Sequence, residues 1–138
     1  MKVFIDTGAF YAATISNDAR NTAAKEISQE LHRCKAWLFT SDYILAETYT
    51  LLNARDGHHT AVAFMNAIEK NEINVLRVSP TIETSAKEIF RKLDIPRLSF
   101  FDCTSFALIN AHRLDHAFSF DSHFSFFRFN HSVKVLGV

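Results

Sequence analysis

Two short, largely apolar runs near opposite ends of the chain each close on an aspartate: Lys2-Val3-Phe4-Ile5-Asp6 and Ala117-Phe118-Ser119-Phe120-Asp121. Runs of this kind read as strands buried on both faces, which belong to parallel sheets. In open α/β folds, ligands bind in the crevice outside the carboxyl ends of such strands. Carboxylates gathered at that edge repel by roughly 4 kcal/mol per pair at 4 Å in an effective dielectric near 20. A cation between them removes the repulsion, so a metal site is the first chemistry the pattern raises.

The rest of the chain alternates. Ala36–Thr40, Asn74–Val78 and Val133–Val138 read as further strands, the middle one stopped by Ser79-Pro80. Between them, apolar residues recur at helical intervals over Ala19–Arg33, Ile44–Leu52, Ala61–Ile68 and Ile82–Leu93. Pro96 precedes a nearly all-apolar helix, Asp102–Arg113. Strands separated by helices imply βαβ units with right-handed crossovers, hence an α/β fold with a parallel sheet covered on both faces. Only the long helical insertion between the second and third strands departs from strict alternation.

The 138 residues are most simply one domain spanning 1–138. With 48% hydrophobic residues, 14 Phe, only 3 Gly and 2 Pro, disorder, a Gly-rich repeat and a turn-rich β-sandwich are excluded. Lys plus Arg equal Asp plus Glu at 15 each, so no basic coat for nucleic acid exists. A local metal site and a few arginines can replace a global field. Cys34 and Cys103 lack zinc-ligand spacing and read as small core residues. The chain opens on a strand with no signal peptide, and no run reaches the ~18 apolar residues of a membrane span. A soluble, cytoplasmic protein is the expectation.

Asp6 is followed by Thr7-Gly8, an entry to a helix, so it suits either an N-cap or a cleft ligand. Ser99-Phe100-Phe101-Asp102 fits a capping box, and an acid in a helix's first turn also points toward the strand-end edge. Glu47 falls about 60° from Ile44 around its helix, at 100° per residue, on the border of the buried stripe. Asp121 closes its run and precedes Ser122-His123-Phe124, where capping is again the alternative. Seven histidines (His32, His58, His59, His112, His116, His123 and His131) are scattered without zinc-ligand spacing, and none is assigned direct chemistry. Oxygen ligands without paired His or Cys favour Mg²⁺ or Mn²⁺, and such a cluster suits phosphodiester hydrolysis.

Four segments in order carry a family likeness: Val3–Thr7, Thr40–Thr48, Leu98–Ala107 and Phe118–Phe124. Over essentially its full length the chain resembles the PIN-domain family, and within it the VapC-like ribonucleases. The resemblance implies a three-layer α/β/α sandwich and a divalent-metal-dependent endoribonuclease. Asp6, Glu47, Asp102 and Asp121 correspond to the family's acidic quartet. Asp6 and Asp102 would be the principal Mg²⁺ or Mn²⁺ ligands, Glu47 would orient water, and Asp121 would complete the charge. Thr7 and Ser119 match small hydroxyl positions that support the site. One departure is Phe101, where many relatives carry a small polar residue. Arg55, Arg97, Arg113 and Arg128 are candidate contacts to an RNA backbone.

Relatives of this kind are commonly toxins paired with a small antitoxin protein, and commonly form homodimers through helices. The apolar faces of 19–33 and 61–70 suit either that purpose or the core. A stand-alone nuclease in RNA processing or decay would carry the same residues. Two other classes remain to be separated: a phosphoacceptor signalling domain, and a PIN-like domain that only binds a partner.

Overall fold

Val3, Phe4 and Ile5 are buried, and they make Lys2–Ile5 (β1) the central strand of the sheet. The structure, a computed structural model, describes residues 1–138. After β1 come Thr7–Thr14 (α1), Asn21–Arg33 (α2), Trp37–Ser41 (β2), Asp42–Arg55 (α3), His58–Lys70 (α4) and Ile73–Leu76 (β3). Pro80–Lys92 (α5), Phe100–His112 (α6), His116–Phe118 (β4), His123–Phe126 (α7) and Lys134–Leu136 (β5) complete the chain.

The five strands run in the order β3-β2-β1-β4-β5, all parallel, with Phe4 opposite Phe39 on one side and Ala117 on the other. The chain steps outward from β1 to β3, then returns through α5 and α6 to start again at β4. Right-handed crossovers put the outward and returning helices on opposite faces, giving the expected α/β/α layers. The reversal leaves a topological switch point between β1 and β4, where their carboxyl ends diverge. A phosphoacceptor domain of the flavodoxin-like kind would have the order 2-1-3-4-5. The observed order removes that reading.

The apolar faces of α2 and α4 turn inward, burying Ala24 and Leu31 from one helix and Ala61 and Phe64 from the other. Several boundaries differ from expectation. The strand expected to reach Asp121 stops at Phe118, because the Ser119 amide makes its last sheet-like bond to the Leu136 carbonyl and the chain then turns. Asp121 therefore lies in that turn and does not close a strand. The third and last strands are shorter than expected, at Ile73–Leu76 and Lys134–Leu136. Cys103 is buried as expected, but Cys34 is exposed at the C-cap of α2, where its side chain faces the Leu31 carbonyl rather than the core.

Phenylalanine does much of the packing around the turn. The Phe106 ring stacks on Phe127 at 4.3 Å and meets Phe124 edge-on at 5.0 Å. Phe106 stands one helical turn beyond Asp102, so this cluster fixes α7 against the start of α6. Gly137 locks the neighbouring edge. Its φ of 107° is left-handed, and a Cβ there would come within 2.8 Å of the Ser119 carbonyl oxygen. Gly137→Ala is expected to lower stability by about 1–3 kcal/mol, from the combined backbone strain and contact. A urea midpoint equal to that of the parent protein would show that this edge relaxes freely.

Candidate active site

Each acid reaches the switch point by a different local route. Asp6 follows β1 directly and occupies the N-cap position of α1, yet its carboxylate makes no capping bond. Instead Oδ2 accepts a hydrogen bond from the Ser119 hydroxyl at 2.9 Å. The same Ser119 oxygen accepts from the Asp121 amide at 3.0 Å, so one fully buried hydroxyl ties the ends of β1 and β4 together. Asp121 in turn accepts from the His123 amide at 2.9 Å, which folds the turn into α7.

Asp102 keeps its capping role and faces the cleft as well. Its amide donates to Ser99 Oγ at 3.0 Å, and its Oδ2 accepts from the Ser99 amide at 3.4 Å. Glu47 is half-buried on α3, as its border position requires, and its Oε1 accepts from the Thr7 hydroxyl at 2.5 Å. Ser41 caps α3 by accepting from the Ile44 amide at 3.0 Å, which sets where Glu47 emerges along the helix.

The electrostatics are those of a site short of positive charge. Burial, then the Asp102 charge, push Asp6 up to about 7. Burial, then Asp121, push Asp102 up to about 6. Hydrogen bonds from the Ser119 hydroxyl to Asp6 and from the Ser99 amide to Asp102 oppose these shifts without cancelling them. The adjacent Cys103 thiol is pushed to about 11, by burial first and Asp102 second, so it is no nucleophile at neutral pH.

The family model described as "PIN domain" matches residues 3–130. The chain belongs to the PIN-domain family. It is 34% identical over 123 residues to the 23S rRNA-specific endonuclease VapC20 of Mycobacterium tuberculosis, covering 89% of this chain and 92% of that protein. The crystal structure of Mycobacterium tuberculosis VapC20, described as a sarcin–ricin loop cleaving toxin, superposes with a TM-score of 0.79 at 35% identity. That match also covers 89% of this chain and 92% of the other. VapBC2 from Rickettsia felis, solved bound to a fragment of promoter DNA, shares the fold at 11% identity, with a TM-score of 0.71 over 98% of both chains.

This PIN domain brings one residue to its acids that sequence reasoning set aside. The His123 ring lies with Nδ1 3.1 Å from Asp121 Oδ1 and 3.4 Å from Asp102 Oδ2. Scattered among seven histidines, it carried no spacing signal; its only hint was its place two residues after an acid. Phe101, the departure from the family pattern, is partly exposed and meets Tyr43 edge-on at 6.2 Å. It closes one side of a groove of about 370 Å³ along α3 that includes Glu47. None of the candidate arginines Arg55, Arg97, Arg113 and Arg128 forms an ion pair with the acids of the site. All four are exposed; Arg113 caps the far end of α6 from Asp102, and Arg55 stands over the Tyr11 ring at 5.5 Å.

The donor set fits a divalent cation. Asp102, Asp121 and His123 offer ligand atoms that all lie within 4.8 Å of one another, and Asp6 and Glu47 add carboxylates whose charge reaches the same cleft. Buried carboxylates raised this far are stabilised in their charged forms by a nearby cation.

Proposed function

We propose that this PIN domain is a divalent-metal-dependent endoribonuclease, the toxin of a toxin–antitoxin pair. The observation that carries the reading is the set of acids around the switch point, with Asp6 and Asp102 both held well above the usual carboxylate range by burial and by a neighbouring carboxylate, Asp102 beside Asp6 and Asp121 beside Asp102. The 34% identical relative is a 23S rRNA-specific endonuclease, which makes RNA the substrate class.

In this reading Asp6 and Asp102 are the principal ligands of Mg²⁺ or Mn²⁺, and Asp121 completes the negative charge. When bound, the cation supplies Lewis acidity toward the phosphoryl oxygen and neutralises charge that builds during in-line displacement. Thr7 occupies one oxygen of Glu47, leaving the other to orient the attacking water and accept its proton. Ser119 fixes Asp6 and, through the Asp121 amide, sets the spacing between the two sides of the site. With 15 basic and 15 acidic residues, RNA affinity rests on this local site rather than on a global field. A small antitoxin protein and a second copy of the chain are the proposed partners. No helix is long and apolar enough to cross a membrane.

The decisive experiment incubates purified protein with 23S rRNA after EDTA treatment, then with Mg²⁺ or Mn²⁺ restored. Discrete fragments are expected only after restoration. Equal cutting in excess EDTA would overturn the reading. For the toxin role, expression alone is expected to arrest growth, and co-expression of a short upstream open reading frame to relieve it.

A further inference from the structure

We infer that Nδ1 of His123 is itself a ligand of the divalent cation, beside Asp102 and Asp121, and that it makes the site prefer Mn²⁺ to Mg²⁺. This rests on the metal-dependent reading above and goes beyond its all-oxygen ligand set.

The ring is held from behind. Nε2 lies 3.1 Å from the Pro96 carbonyl oxygen, which can only accept, so Nε2 carries the hydrogen. In the neutral ring Nδ1 then presents a lone pair, the form in which imidazole binds metals. That atom is fully buried and makes no hydrogen bond. Asp121 Oδ1 at 3.1 Å and Asp102 Oδ2 at 3.4 Å lie close by, but neither stands along the direction of an N–H bond from Nδ1. Acceptors flanking a buried lone pair repel it unless something positive sits in front of it.

The spacing suits an ion. Ligands about 2.1 Å from a common centre and at right angles to one another are about 3 Å apart. The two distances to His123 are of that size, and the three ligand atoms all fall within 4.8 Å. Side-chain exposures of 9% for Asp102, 13% for His123 and 36% for Asp121 leave the Asp121 side open to solvent and substrate. The bond from Nε2 to a backbone carbonyl is the outer support that metal-bound histidines ordinarily have. Imidazole suits first-row transition ions, whereas Mg²⁺ keeps to oxygen. Mn²⁺ accepts both kinds of ligand.

The test uses the full chain freed of metal and loaded with Mn²⁺. Pulsed electron paramagnetic resonance is expected to show a directly coordinated nitrogen, whose signal changes to that of ¹⁵N on selective histidine labelling. In His123→Asn and His123→Gln proteins the nitrogen signal is expected to vanish. Mn²⁺ affinity should fall roughly 10- to 100-fold, while Mg²⁺ affinity, measured by competition, should move less than about threefold. Mn²⁺ bound with no nitrogen coupling in the parent protein, or with coupling that survives both substitutions, would overturn the assignment of His123 and leave the ribonuclease reading intact. Failure to bind Mn²⁺ at all, together with cleavage in EDTA, would remove both.

Discussion

Asp102→Asn protein is expected to cut RNA at least about a thousandfold more slowly than the parent, while folding normally. Asparagine keeps the size of the side chain and retains an oxygen to accept the Ser99 amide, so the capping box at the start of α6 survives. What disappears is a full negative charge in a site that is 93% buried at this residue. A bound divalent ion contributes several kcal/mol of transition-state stabilisation, and losing about 4 kcal/mol is a thousandfold in rate. Asp6→Asn should behave alike, since the Ser119 hydroxyl can still donate to the asparagine oxygen. Single-turnover cleavage and thermal melting, run side by side, separate lost chemistry from lost structure. Undiminished cleavage by a well-folded Asp102→Asn protein would show that the site lies elsewhere.

The same burial has an opposite effect on the metal-free fold. Asp6 at about 7 and Asp102 at about 6 both sit above the 3.8 of an unfolded aspartate. Between pH 4 and 7 the folded state therefore holds protons that the unfolded chain has released. Stability is greatest below pH 4 with respect to these groups and falls as pH rises through that window. Each titrating group contributes about 1.4 kcal/mol per pH unit, so the pair accounts for on the order of 4 kcal/mol between pH 5 and 8. Asp115 shifts the other way: burial raises it, but His116, the Lys2 amide and the chain's amino terminus together lower it. Its effect falls below pH 4, outside the window. Urea denaturation in EDTA is expected to show a clearly higher midpoint at pH 5 than at pH 8. Mg²⁺ or Mn²⁺ should close most of the gap by stabilising the charged carboxylates, and Asp6→Asn should flatten the profile. A metal-free protein as stable at pH 8 as at pH 5 would contradict the picture of buried, mutually repelling acids.

Both effects trace to residues already visible in the linear sequence. Apolar runs at Val3–Ile5 and Ala117–Phe118 declared buried strands through their composition. Strands alternating with helical stripes declared a parallel sheet. The Ser99–Asp102 pair announced the start of α6 because capping is short-range and depends on a fixed offset of three residues. Glu47 was placed at the border of its helix by angular arithmetic alone. These readings rest on local periodicity, which the backbone obeys wherever the segment ends up.

Other features depend on distance across the fold. Ser119 bridging Asp6 and Asp121 requires β4 to lie beside β1, a pairing that no local pattern encodes. Asp121 left its expected strand because β5 claims the Ser119 amide and the Ser119 hydroxyl accepts from the Asp121 amide, which turns the chain. Cys34 ended outside the core because α2 terminates there, with Lys35 in the left-handed region immediately after it. His123 looked like one histidine among seven until Pro96, 27 residues earlier in the chain, fixed its ring against two carboxylates. By itself the sequence determined where the five strands and the five longer helices α2 to α6 lie and pointed to four candidate acids, since periodicity and motif spacing are properties of the chain. Only the tertiary structure decided which side chains face one another, because strand order and the direction of a ring are set by packing between residues far apart in sequence.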